Sequence, residues 1–582
     1  MENGSIRCVD TLVVGGGPVG LITAYQLSKF GTSVSIIEHH NKSTQDTYGR
    51  AITLYPRTSE LLDQLSLADT LAQTCFACRE TASYDALGRE VHGRGWHFME
   101  NMKDTKWDFA LVLRQRYQEE VFRSALRDEG GVELESEKTL VGVSIDAEQP
   151  KGGYRITATI RKRDGSEERV RCRYLVGCDG GRSTVRRLMN IPFVGTSTED
   201  RWVRVDGVVE TNVPRPRTYC AIESPTHGNV LWAALDHGAT RIGYAFTAER
   251  ASRYADFDEA AAVKEAIASV KPFDLRFKQV DWWTLYSVGQ RVAESFFVND
   301  CVFLAGDACH THSSGAAQGM NTGIHDSVNL AWKLALVLKG VMNPDILETY
   351  RRERLPNVEK LIKYDKDISR LMSLQLPEGW MGDPRADPNE ILGEVMKEAG
   401  TFSSGLGIYY EMEKSNPLSV MGSFACEEEL EAVRPGKRAP DVELQKPGTM
   451  ETTRLIQQTP NRAKFYVAVF AGDAATTRGC LRRFKTTVQQ WHGQLLSLGA
   501  KVSWLTILAK SGPSAYELLE MDPFGRVLYD QSSGAHQRYG INTSSPVAVI
   551  LRPDGWVGTM IDLTAEDAST EMHRYFARIL SM

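Results

Sequence analysis

Residues Val13-Val-Gly-Gly-Gly-Pro-Val-Gly-Leu21 decide how the first part of this chain is read. Gly15, Gly17 and Gly20 form a G-x-G-x-x-G spacing that follows the apolar run 11–14 and opens a helical stretch to about Phe30. A second apolar run, Val34–Ile37, completes a β-α-β pattern. In that setting the glycines let the backbone approach a pyrophosphate closely. The helix start at Pro18 and Val19 brings the positive end of the helix dipole and the unpaired N–H groups of its non-proline residues. Glu38 ends the second strand, about 20 residues on, where a carboxylate accepts hydrogen bonds from a ribose; His39 is counted to the same cofactor-binding set. A tight turn followed by a surface glutamate is the alternative. Strand, glycines, helix and acid all in register favour the dinucleotide.

Two further segments place an aspartate beside a glycine at the end of an apolar run. They are Tyr174-Leu-Val-Gly-Cys-Asp-Gly-Gly-Arg-Ser183, with Asp179, and Val302-Phe-Leu-Ala-Gly-Asp-Ala-Cys-His310, with Asp307. Between them, residues 202–246 read as short strands rich in Val, Trp and Tyr, as in an antiparallel sheet. After Asp307 a helix runs to about Gly340, and residues 345–374 continue helical and charged. The stretch Arg434-Pro-Gly-Lys-Arg-Ala-Pro-Asp441 breaks the pattern and marks a boundary. Beyond it lies a self-contained α/β pattern: apolar runs at 465–470, 502–507 and Val547–Leu551, with a helix over about 480–498.

Composition narrows the function classes. With 582 residues, 68 basic against 74 acidic residues and a net charge of −6, the chain carries no electrostatic footprint for nucleic acid or an anionic membrane. Apolar content of 42% and aromatic content of 9% exclude global disorder. Ten cysteines are too sparse for a disulfide scaffold, and Cys75 and Cys78, in a stretch that reads as helical, suit packing better than metal or redox chemistry. No apolar run reaches the ~18 residues of a membrane span, and no secretory leader opens the chain, so a cytoplasmic protein is expected.

The ordered set of three motifs resembles the class A FAD-dependent aromatic monooxygenases with the p-hydroxybenzoate hydroxylase fold, and most of all the phenol 2-monooxygenase type. The resemblance covers roughly residues 8–370 and includes Gln318-Gly-Met-Asn321. It implies an α/β (α+β) architecture: a Rossmann-like FAD-binding domain interleaved with an antiparallel-sheet substrate domain, and a C-terminal thioredoxin-like domain. The expected division is 1–370, with the substrate sheet at about 200–290, then a helical and irregular linker at 371–437, then 438–582. By the same resemblance Gly15, Gly17, Pro18, Val19 and Gly20 hold the FAD pyrophosphate, and Glu38 holds the ribose. Arg50 and Gln115 contact the cofactor, Asp307 binds the ribityl chain, and Gly319, Met320 and Asn321 form the helix start under the flavin ring. Asp179 and Arg182 match a segment serving FAD and NAD(P)H, with capping of its following turn as the alternative reading of Asp179. Ser545-Pro546 matches the cis-proline position of the thioredoxin fold.

The resemblance implies hydroxylation of an electron-rich phenolic or polyketide-derived aromatic by NAD(P)H and O₂ through a flavin hydroperoxide, in a homodimer. Tyr286 matches the tyrosine that hydrogen-bonds the substrate hydroxyl, with core packing as its other reading. Trp202, Tyr219, Trp232, Tyr244 and Phe246 either wall the pocket or fill the sheet core. His310 and His312 imply no metal, because two histidines without a third ligand make no site. Two departures stand out. Where phenol 2-monooxygenases have R-A-D-G, this chain has Arg50-Ala-Ile-Thr53, and Ile52 cannot act as a base. The His-x-Pro-x-x-Gly stretch reads His312-Ser-Ser-Gly-Ala-Ala317. Simple phenol is therefore a poor candidate, and a more acidic polyphenol a better one. Hydroxylation that drives dearomatisation, ring rearrangement or epoxidation stays open, as does a flavin-binding docking protein.

Overall fold

The computed structural model describes residues 6–42, 51–93, 102–313, 317–412, 416–424, 433–490 and 501–581. The opening strand runs Arg7–Val14 and pairs in parallel with Glu167–Gly177 on one side and Val34–Ile37 on the other. Val302–Leu304 adds to Glu167–Gly177, again in parallel. Residues 11–14 and 174–177 are buried throughout, as strands covered on both faces must be, which is why they read as unbroken apolar runs. Val14 is in register with Gly177 and Gly177 with Leu304, so the three glycine-bearing segments leave the sheet side by side.

A second sheet carries two long strands, Phe193–Thr211 and Leu275–Ala293, joined in order by Thr240–Phe246, Gly228–Ala234 and Tyr219–Ser224. Alternation splits its aromatic residues between two faces. Trp202, Tyr219, Leu231 and Tyr286 pack with Ile52, Tyr55 and the end of the helix Glu348–Met372. Trp232, Tyr244 and Phe246 belong to a separate core on the opposite face, where Tyr244 donates 2.9 Å to the Ala262 carbonyl of the helix Glu259–Ser269.

The C-terminal sheet orders its strands Thr452–Arg454, Glu443–Gln445, Arg526–Tyr529, Val502–Leu508, Phe465–Gly472, Val547–Leu551 and Val557–Asp562. The three central strands up to Phe465–Gly472 are parallel and the last two antiparallel. This sheet packs onto the long helix Gly319–Leu338: Trp332 meets Phe465 edge-on at 5.7 Å, and Phe465 meets Phe576 at 5.7 Å. One apolar core therefore runs from Leu12 through Trp332 to Phe576.

Three local expectations are corrected. Residues Phe76–Cys78 form a strand against Ala110–Val112 rather than a helix; the helical turn stops at Ala72, and the two thiols donate to separate carbonyls, Cys75 to Ala72 and Cys78 to Glu80. The bond Ser545–Pro546 is trans, since the cis bond among the described residues is Lys271–Pro272; an Asx turn on Asn542 shapes the 542–545 segment instead. The helix expected from about Cys480 begins earlier, at Ala474, and residues 491–500 lie outside the described residues.

Candidate active site

The first helix, Pro18–Lys29, begins at Gly17 with proline in its first turn and no side-chain cap. Its leading N–H groups therefore have no intrahelical or side-chain acceptor. The three motif glycines do different work. Gly15 has φ +110°, and a Cβ there would lie 2.3 Å from the Cys178 carbonyl; one on Gly20 would lie 1.9 Å from the Gly15 carbonyl. Gly17 has nothing within 4 Å of that position and lines an open cavity with Pro18 and Val19. Glu38 is fixed below this loop: one carboxylate oxygen accepts from Gly16 N–H at 2.6 Å and the other from His40 N–H at 2.8 Å. His39 lies outside on the surface, with Nδ1 3.0 Å from the Thr139 hydroxyl.

The third motif and the helix after it close on Val19. Added Cβ atoms on Gly306 and Gly323 would fall 2.9 and 2.6 Å from its Cγ2, so both positions are kept bare for it. Arg186 ties the segments further by donating to the Ala308 and Gly181 carbonyls, each at 2.7 Å. Asp307, Gly319, Met320, Gln115 and Arg182 line the cavity. Gln115 also holds Glu119, which pairs with Lys42 at 3.0 Å out of solvent. Arg50 lies outside the described residues.

Two predicted residues have their polar atoms committed to the fold. Asp179 accepts from Ser183 Oγ at 2.5 Å and from the N–H groups of Thr184 and Val185 at 2.6 and 3.1 Å, capping the short helix Thr184–Leu188. Burial pushes its carboxyl up against the pull of these bonds. Asn321 accepts from Tyr55 N–H at 2.8 Å and donates to the Thr53 and Ala317 carbonyls, pinning the helix start to the 51–55 segment.

Cys309, His310 and Asp326 approach one another closely enough to suggest a cation site. The Arg354 guanidinium already holds Asp326 at 2.7 Å, His310 Nε2 sits at 2.7 Å and Gly306 N–H donates at 3.0 Å. Burial works against ionisation of Asp326, but Arg354 and His310 outweigh it and hold the carboxyl at about 2. The arginine supplies the positive charge that a metal would bring.

The same cavity, about 650 Å³, continues to the second sheet, where Ala51, Ile52, Tyr219, Leu231, Arg204, Arg241, Ser287 and Gly289 line it. Arg241 grips Asp206 through two bonds of 2.7 and 2.8 Å, both side chains buried. Burial raises the Tyr219 phenol, partly offset by Thr53 and Arg204. Tyr286 is 9% exposed, directly opposite Trp202 on the neighbouring strand, and packs in the apolar cluster beside Tyr219. Sequence reasoning did not single out Arg204, Arg241 or Arg291. The signal was present as the alternation Trp202-x-Arg204-x-Asp206, charged residues in phase with an aromatic on a strand otherwise rich in valine.

The residues fit FAD. An uncapped helix start meets a bare Gly17, and four arginines line the walls. His312, with its side chain 2% exposed, holds Nδ1 2.8 Å from the Ser313 carbonyl and leaves a buried Nε2 with no partner in the cavity wall.

Comparison with known proteins agrees. The family profile described as FAD binding domain matches residues 8–365, and that of the phenol hydroxylase C-terminal dimerisation domain matches 511–582. The FAD-dependent monooxygenase ankC of Aspergillus thermomutatus is 29% identical over 591 residues, 95% of this chain and 96% of that one. The 3-hydroxybenzoate 4-monooxygenase of Comamonas testosteroni is 33% identical over 435 residues, 69% of this chain and 65% of that one. The crystal structure of aklavinone-11 hydroxylase in a ternary complex with FAD and aklavinone shares the fold, with TM-score 0.73 at 22% identity over 100% of both chains. Fold and site thus define a flavin-dependent oxygenase. The chain belongs to the family of this FAD-binding domain, the FAD-dependent aromatic monooxygenases.

Proposed function

We propose that this protein uses NAD(P)H and O₂ to hydroxylate an electron-rich phenolic or polyketide-derived aromatic ring. The observation that carries the reading is the single cavity running from Gly17 to Tyr219 and Arg204, which joins a dinucleotide site to a buried aromatic pocket. FAD, when bound, supplies the electron relay from the nicotinamide to O₂ and the transfer of one oxygen atom. The chain's own residues bind, orient and exclude water. The N–H groups of Gly17 and Val19 take the pyrophosphate and Glu38 the adenosine ribose. Asp307 takes the ribityl chain, Gln115 and Arg50 touch the cofactor, and Gly319 and Met320 form the helix start beneath the ring. Asp179 and Asn321 serve by shaping the loops. Tyr286 and Tyr219 hydrogen-bond the substrate oxygen, while Ile52, Leu231 and Ala317 keep water away.

The division at 1–370, 371–437 and 438–582 is retained as part of this reading. The dimerisation-domain match supports a homodimer, which sedimentation tests. No helix among the described residues is long and apolar enough to cross a membrane; a cytoplasmic location is supported by the free thiols of the nine cysteines among the described residues. Turnover under isotopically labelled O₂ tests the chemistry: one labelled atom belongs in the product ring, and a product without label overturns the assignment.

A further inference from the structure

We infer that His312 Nε2 is the hydrogen-bond acceptor for the ring N–H that the flavin gains on reduction, and that His312 thereby raises the reduction potential of the bound cofactor. The inference rests on the FAD reading above.

Among the described residues lining the cavity, His312 Nε2 is the one fully buried side-chain nitrogen or oxygen without a hydrogen-bond partner. A buried acceptor left unpaired is costly, so its partner belongs to whatever fills the cavity.

The other ring nitrogen fixes what Nε2 can do. Nδ1 lies 2.8 Å from the Ser313 carbonyl, which can only accept, so Nδ1 carries the hydrogen and Nε2 of the neutral ring keeps its lone pair. Asp365 Oδ1, 3.8 Å from Nδ1, favours the same tautomer. Asp365 is buried on the helix Glu348–Met372 and takes three hydrogen bonds. They come from Ser313 N–H at 2.8 Å, Ser313 Oγ at 2.5 Å and Gln290 Nε2 at 2.8 Å. Ser313 is thus strapped to that helix, and its carbonyl sets the direction of the imidazole.

The lone pair stands where the cofactor end of the cavity passes into the substrate end. A Cβ on Gly319 would lie 3.7 Å from both Cε1 and Nε2, so this edge of the ring faces the bare side of the glycine that opens the helix Gly319–Leu338. Two residues earlier, Ala317 packs against the cluster of Ile52 and Tyr219.

An isoalloxazine ring offers two kinds of N–H. One, on the pyrimidine edge, is present in both redox states. The other forms on the central nitrogen when a hydride arrives from the nicotinamide, which loses the two electrons and the hydrogen that the ring gains. That nitrogen adjoins the carbon that reacts with oxygen, and oxygen transfer requires this carbon to face the substrate end. Before reduction the nitrogen carries only a lone pair and offers His312 nothing. An acceptor at this junction therefore holds the reduced ring more tightly than the oxidised one, and the difference is a shift in potential.

The test is a spectroscopic redox titration of the full-length FAD-loaded protein at constant pH, with no aromatic compound and no nicotinamide present. His312→Leu is expected to lower the preference for reduced over oxidised FAD about tenfold, or about 30 mV for a two-electron couple, while the affinity for oxidised FAD changes less than about twofold. His312→Gln keeps an acceptor near the same place and recovers most of the shift. With 5-deaza-FAD, whose ring gains a C–H in place of the N–H, His312→Leu leaves the potential where it was. The wild-type protein gives a reading that needs no variant: relative to the free cofactors, it favours the reduced form more strongly for FAD than for 5-deaza-FAD. A potential that His312→Leu does not change overturns the inference, as does an equal shift with 5-deaza-FAD. Equal loss of oxidised and reduced FAD also overturns it and makes His312 a packing residue. The FAD reading fails separately, if the wild-type protein binds no FAD at all.

Discussion

Arg552 and Glu353, 199 residues apart in sequence, form a fully buried two-bonded pair, with Nη1 to Oε1 at 2.6 Å and Nη2 to Oε2 at 3.0 Å. Lys333 adds a 2.7 Å bond to Glu353, and Asp554 accepts from Arg552 at 2.8 Å and from the Trp332 indole at 3.0 Å. The turn after Val547–Leu551 is thereby locked between the helices Gly319–Leu338 and Glu348–Met372. The first of these helices begins in the cavity wall. The C-terminal region completes the cofactor domain's interior rather than hanging beside it.

Removing one partner of such a network leaves the others charged and buried. Arg552→Leu is therefore expected to cost about 3–5 kcal/mol. Chemical denaturation followed by flavin fluorescence measures this, with cofactor release and unfolding shifting together. An unchanged midpoint would show that the network contributes nothing.

The glycine loop separates packing from binding. Gly15→Ala forces a Cβ onto the Cys178 carbonyl in a positive-φ conformation and is expected to lower soluble yield. Gly17→Val has open space and φ −78°, so the protein folds but binds FAD at least about tenfold more weakly, because a side chain now stands where the pyrophosphate approaches. Visible flavin absorbance after gel filtration reads the difference.

Acid stability follows from Asp326. Its folded pKa of about 2 lies below the unfolded value of about 3.9, so its contribution is present above pH 4 and is lost as pH falls towards 2. Asp326→Asn removes that contribution at neutral pH and flattens the pH dependence across this window. Thermal melts at stepped pH check the slope, and an equal slope in both proteins contradicts the assignment.

Tyr286→Phe tests the hydrogen bond to the substrate oxygen. The expected loss is about 10²-fold in hydroxylation with little change in flavin reduction, and the difference appears as hydrogen peroxide. If product and peroxide both stay at wild-type levels, Tyr286 is a core residue.

Much of the fold was legible because its signals are local. Apolar runs, glycine spacing and Glu38 all fall within 30 residues of one another, and the register of Val14, Gly177 and Leu304 then aligns the three motifs. What the cavity contains was harder to read. Whether Tyr219 or Trp232 faces it depends on pairings with strands far along the chain, and those pairings put Tyr219 in the wall and Trp232 in the opposite core. Arg204 looks like an ordinary strand arginine until it is seen in the cavity wall. Asp179 carried two readings in sequence, and its three capping bonds account for its position in the fold. The pairing of Arg552 with Glu353 leaves no pattern in either segment alone.

The most direct test of the central claim is anaerobic stopped-flow reduction of the FAD-loaded protein by NADPH, with and without a panel of acidic phenols and polyketide aromatics. The account predicts that at least one such compound accelerates flavin reduction by about 10²-fold or more, through occupancy of the Tyr219 and Arg204 end of the cavity. Reduction at the same rate with every aromatic, in a protein that holds FAD, would contradict it.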